Sequence, residues 1–173
     1  MVYSKSEIKT KIQIALEILY EKDMFLLKND VNERSISHKL AEYIQQQFSE
    51  YHVDCEYNRV GSLTVDEEYF NKKLRLYKNI KCLNGETVYP DIIIHKRGQR
   101  DNLLVIEIKK TSKGLNVLDD YKKILGFLTK GDFKYRFGLF LRLAKNNVTG
   151  FDLYENNDSE LRRLKNKINE RQI

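Results

Sequence analysis

The chain has 173 residues, with 31 Lys and Arg against 25 Asp and Glu, and a pI near 9.1. That length fits one domain with a core of ordinary size. No apolar run approaches the roughly 20 residues that span a bilayer, and the opening MVYSKSEIKTK has no signal-peptide stretch, so a cytoplasmic protein without a membrane partner is expected. The formal charge of +6 favours polyanionic partners, because Lys and Arg that neutralise phosphates release counterions.

In chain order, Ile8, Ile12, Ala15, Leu16 and Leu19 recur at helical spacing within residues 6–21. A second helix is predicted over 32–48, on the stripe Ile36, Leu40, Ile44 and Phe48, with Asp30 as its cap. Residues 52–59 alternate weakly, as a strand does. The Tyr-rich, charged stretch 61–81 reads as a loop with one short helix. Two strong strands follow, VYPDIIIH (88–95) and LLVIEIK (103–109), joined by the polar turn KRGQRDN. A helix over 117–128, strands over 133–143 and 148–154, and a charged helix over 159–171 complete the order. It contains no repeat, no Gly/Ser linker and one proline, so residues 1–173 are expected to form a single mixed α/β domain, a central mixed sheet flanked by helices. The crossover helix between parallel strands should be right-handed. Cys55 and Cys82 form no CxxC pair and read as plain thiols.

The chemistry concentrates in VYPDIIIHKRGQRDNLLVIEIKK. If the two strands pair antiparallel about a turn near Gln99, Asp91 falls directly opposite Glu107. Cross-strand partners share a face, with Cβ atoms about 4.5–5.5 Å apart. Alternation puts Lys109 on that face and turns Ile106 and Ile108 to the other. Two facing carboxylates repel and lose hydration. A divalent cation offsets this, and Mg²⁺ takes a few carboxylate oxygens together with waters and phosphate oxygens. Lys109 then has three available tasks: orienting the attacking water, helping to deprotonate it, or neutralising charge on phosphate. Pro90 suits a strand start, where its missing N–H costs least. The bland alternative is a solvated strand face, but both strands are dense in Ile, Leu and Val, as buried strands are.

Glu33 lies at the middle of the stripe formed by Ile36, Leu40 and Ile44. Two readings stand: a helix cap three residues after Asp30, or a third acid beside the metal.

With these residues in view, the chain resembles the PD-(D/E)xK, or restriction-endonuclease-like, nuclease superfamily. The motif is Pro90-Asp91, fifteen residues, then Glu107-Ile108-Lys109. The segments ERSISHKLAEYI, DCEYNR, VYPDIIIHKRG and NLLVIEIKK look like small stand-alone bacterial members. The resemblance covers roughly residues 30–145. It implies an αβββαβ core, with residues 1–29 as an N-terminal helical extension and 146–173 as an added strand and helix. It also implies metal-dependent phosphodiester hydrolysis with Mg²⁺ or Mn²⁺. Metal-ligand roles fall on Asp91 and Glu107, the catalytic lysine on Lys109, and the helical acid on Glu33. The helix after the EIK strand often adds a polar residue in such nucleases. Asp120 and Lys123 are the candidates here, although both sit at the edge of the apolar stripe and Lys123 reads more readily as a surface residue.

Elsewhere, His38, His52 and His95 lack zinc spacing and read as structural or surface residues, with His95 on the Asp91 face. Tyr57, Asn58 and Arg59 are placed to touch substrate, and sheet packing explains Tyr57 equally well. Lys96, Arg97 and Arg100 read as a solvated turn. The expected function is a metal-dependent nuclease, DNA favoured over RNA as its nucleic-acid partner. The alternative is a catalytically silent nuclease-fold module that binds nucleic acid or protein. A homodimer would ease cutting of both strands, and a further option is a partner subunit of a larger defence or repair complex, active only when assembled.

Overall fold

The computed structural model describes residues 3–57, 59–60, 70–71, 74–75, 87–111, 117–129, 133–156 and 158–170. The elements are α1 (Lys5–Lys22), α2 (Met24–Lys28), α3 (Glu33–Gln47), β1 (His52–Cys55), β2 (Arg59–Val60), β3 (Phe70–Asn71), β4 (Leu74–Arg75), β5 (Thr87–Val88), β6 (Ile92–His95), β7 (Asn102–Lys110), α4 (Leu118–Thr129), β8 (Phe137–Leu143), β9 (Val148–Glu155) and α5 (Ser159–Glu170). Five strands form one mixed sheet in the order β1-β6-β7-β8-β9, parallel at β7/β8 and antiparallel elsewhere. β2 pairs with β3 and β4 with β5, as separate short ribbons. Among the described residues no helix is long and apolar enough to cross a membrane.

The central strands are buried on both faces, which explains their unbroken apolar runs. Ile92, Ile94, Leu104, Ile106 and Ile108 pack with the stripes of α1 and α3. Ile93, Val105 and Phe140 pack with α4 and α5 on the other face. α4 crosses between the parallel strands and lies close to β8 at Gly138, where a Cβ would stand 2.6 Å from Ile124 Cγ2. α1 starts in a capping box between Ser4 and Glu7.

Several boundaries differ from expectation for local reasons. The cap of α3 is Asn32, whose side chain accepts the Arg34 amide; Asp30 adopts φ 53° two residues earlier and serves another purpose. β1 stops at Glu56, which has φ 47°, so residues 52–59 are not one strand. The expected 88–95 strand is divided as well, since Thr87–Val88 pairs with β4 while β6 begins only at Ile92. Residues 133–136 precede β8 rather than belong to it, because the Phe133 carbonyl accepts from Asn102 Nδ2 and the Tyr135 amide bonds the Phe127 carbonyl at the end of α4. Within 61–81 the described residues are the short strands β3 and β4; the helix expected there, and Cys82, lie outside the described residues.

Candidate active site

β6 and β7 pair as Ile92↔Ile106, Ile93↔Val105 and Ile94↔Leu104, before a bulge shifts His95 onto Asn102. This register runs on to place Asp91 opposite Glu107, on the α4 side of the sheet. β7 continues to Lys110, so its amides beyond Ile106 lack β6 partners, and carboxylates take that role. Asp91 Oδ2 accepts the Ile108 amide at 2.7 Å. Glu33 Oε1 accepts the Lys110 amide at 3.0 Å. Amides two residues apart lie on the same strand edge, about 7 Å from each other, so these two acids stand side by side in the gap that β6 leaves. Glu33 thus reaches the sheet, while Asn32 supplies the cap of α3.

Lys110 secures that arrangement. Its side chain is buried, and Nζ donates to Asp30 Oδ1 at 2.6 Å, Val31 O at 2.6 Å and Asp30 O at 3.1 Å. The turn before α3 is thereby tied to β7, which fixes where Glu33 enters.

Glu107 is 1% exposed. Its Oε2 accepts from Lys123 Nζ at 3.0 Å, and the same ammonium lies 3.4 Å from Asp120 Oδ1. Lys109 Nζ stands 3.8 Å from Asp120 Oδ2. Two buried oxygens, Glu107 Oε1 and Asp120 Oδ2, have no hydrogen-bond partner. Burial pushes the Asp91 carboxyl up to about 6, opposed by the Ile108 amide and Lys123 and reinforced by Asp120 and Glu33. Burial and then the charge of Asp91 push Glu107 well above the usual carboxylate range. Burial alone would lower Lys123, but Glu107, Asp120 and Asp91 raise it.

The structure therefore gathers Asp91, Glu107, Lys109, Asp120 and Lys123 around the start of α4, with Glu33 at the adjoining strand edge. Asp120 and Lys123 are more central than their stripe-edge positions implied, and Lys123 pairs with Glu107 and Asp120 rather than standing free at the surface. Their i, i+3 spacing on the helix entering over β7 was the available signal. The backbone of Arg59 belongs to β2, and its side chain, like Asn58, lies outside the described residues. His95 is not at the site. It bonds Asp54 Oδ2 at 2.8 Å, and its ring lies 4.7 Å from that of Tyr57. Arg97 also pairs with Asp54. Burial would raise Asp54, but these two partners hold its carboxyl well below the usual range.

Among the described residues, no group of three or more His, Cys, Asp or Glu side chains is arranged to hold a metal ion. The donors present suit a hard cation that keeps waters and accepts phosphate oxygens, rather than a closed protein cage. They are carboxylates, with one Glu107 oxygen that lacks a hydrogen bond among the described residues, and their burial is offset only in part by Lys123 and the Ile108 amide.

No family model matches the chain, and no curated protein matches it. The chain is similar to a solved structure described as "Crystal structure of SSO0001", at 15% identity and TM-score 0.40, over 92% of this chain and 71% of that one. A likeness at this level carries no argument about function.

Proposed function

We propose that this protein is a metal-dependent nuclease that hydrolyses phosphodiester bonds, with Mg²⁺ or Mn²⁺ as cofactor and DNA favoured over RNA. The observation that carries this reading is the buried Glu107 carboxyl, with an unpartnered oxygen, facing Asp91 inside an apolar sheet. An acid so buried and only partly compensated needs a reason. Asp91 and Glu107 would hold the cation, with Glu33 supporting from the strand edge. Such an ion supplies Lewis acidity toward a phosphodiester oxygen and toward water. Lys109 orients the attacking water and neutralises charge on the phosphate. Lys123 holds Glu107 in place and keeps Asp120 beside it. The free thiol of Cys55 accords with a cytoplasmic location.

The test is cleavage of linear, circular and single-stranded DNA with Mg²⁺, Mn²⁺ or EDTA. Asp91→Ala and Lys109→Ala should each lower the rate at least about 1,000-fold while the far-ultraviolet circular dichroism is unchanged. Parental rates from both variants would refute the assignment. One observation favours a second reading: Lys123 and Lys109 together offset the charges of Glu107 and Asp120. A silent module of this kind binds nucleic acid or protein and hydrolyses nothing under any metal.

A further inference from the structure

A groove of about 830 Å³ lies along the outer edge strand β9, between the start of α1, the start of α4 and the face of α5. Its walls combine two chemistries. Tyr121, Phe151 and Tyr154 supply aromatic surface, and Lys9, Arg163 and Lys167 supply positive charge. Among the described residues these three cations have no ion-pair partner. The acids in the same walls are already engaged. Asp152 accepts from Tyr121 Oη at 2.7 Å and pairs with Arg142 at 2.9 Å. Glu160 pairs with Lys5 at 2.5 Å. The groove therefore presents uncompensated positive charge over rings whose positions are fixed. Tyr121, for example, is held through its hydroxyl and packs edge-on against Phe140.

Arg163 and Lys167 are one helical turn apart on α5, some 5–6 Å, which matches a ligand carrying repeated anionic groups. The volume suits one or two ring-bearing units. Unpaired cations beside aromatic faces describe the recognition of single-stranded nucleic acid, in which bases stack and the backbone follows the charge. A duplex hides its base faces from such rings.

The groove neighbours the acidic site through α4, whose Tyr121 lines the groove while Asp120 and Lys123 belong to the acidic cluster. Arg142 pairs in register with Lys109 across β7/β8, and its Nη1 reaches the Tyr121 hydroxyl at 2.8 Å. Two strand spacings separate β7 from β9, roughly 10 Å, a short step along an extended strand of nucleic acid.

We propose that this groove holds an unpaired strand of nucleic acid flanking the phosphate presented to Asp91 and Glu107, so that the substrate is single-stranded or frayed. The proposal rests on the nuclease reading for the word substrate, but not for binding. The test is fluorescence anisotropy of the full chain with a labelled 12-nucleotide single strand in EDTA. The combined variant Lys9→Ala, Arg163→Ala, Lys167→Ala changes only exposed side chains. It should bind at least tenfold more weakly, and its log–log salt slope should fall by about 2, near 0.7 per lost contact. Parental affinity in that variant overturns the proposal. So does equal affinity of the parent for a blunt duplex, for a glutamate oligomer of equal charge, or for a free mononucleotide. If Asp91→Ala abolishes cleavage but the triple variant binds normally, only the groove fails. If the parent never cleaves but the triple variant loses binding, the groove stands and only the nuclease reading fails.

Discussion

The two faces of the sheet treat buried charge in opposite ways, although the residues concerned are neighbours in Glu107-Ile108-Lys109-Lys110. On the α1/α3 face, the Lys110 ammonium is met by three oxygens and nothing is left over. On the α4 face, Glu107 and Asp120 share the Lys123 ammonium, Lys109 approaches Asp120 only at 3.8 Å, and each acid keeps an oxygen with no hydrogen bond among the described residues. A charge that folding satisfies completely stabilises the fold. A charge that folding satisfies by half is a standing demand for something else. The contrast separates fully satisfied from partly satisfied charges along a single strand.

The comparison is broken most severely at its satisfied end. Lys110→Met should cost about 3 kcal/mol in urea denaturation, because charge-assisted hydrogen bonds are lost and the turn before α3 is released. A loss below about 1 kcal/mol would show that the lock is superfluous.

The unsatisfied end should behave in reverse. In the metal-free protein both Asp91 and Glu107 are raised in the folded state, so the native state binds more protons than the unfolded one. Stability from these groups is present below the unfolded carboxylate range and is lost as pH rises through about 6 for Asp91. Glu107→Gln should raise the metal-free melting temperature at pH 7.5 by several degrees, on the order of 1–2 kcal/mol, and weaken Mn²⁺ binding in calorimetry by at least about tenfold. A lower melting temperature with unchanged Mn²⁺ affinity would contradict both claims.

The smallest effect concerns the approach to Glu33. Asn32→Ala should cost about 1 kcal/mol by removing the α3 cap, while Asp30→Ala removes an oxygen that holds Lys110. Equal loss of helix protection in hydrogen exchange from both would restore Asp30 as a cap.

How legible this was depended on the range of the interaction. The stripes of α1 and α3 and the Asp91–Glu107 register follow from periodicity, because burial on one face forbids a one-residue slip. The cap of α3 was misplaced because Asp30 and Asn32 are both good caps by type, and only the long-range demand of Lys110 decides between them. Lys123 was undervalued for a related reason: at a stripe edge, one side of the helix reaches water and the other reaches Glu107, and the sheet beneath determines which. The groove beside β9 joins α1, α4, β9 and α5, which no local pattern can assemble.

Pro90 acquires a meaning from where β6 begins. Carried back two residues, the β6/β7 register sets this proline against Ile108, at a position whose N–H would point toward β7. Lacking that N–H, the proline cannot donate to the Ile108 carbonyl, so the ladder stops at Ile92, and Asp91 and Glu33 accept the Ile108 and Lys110 amides beyond it. The imino acid acts as a doorstop: it holds the seam between the two strands ajar, and the pair of carboxyl groups stands in the opening.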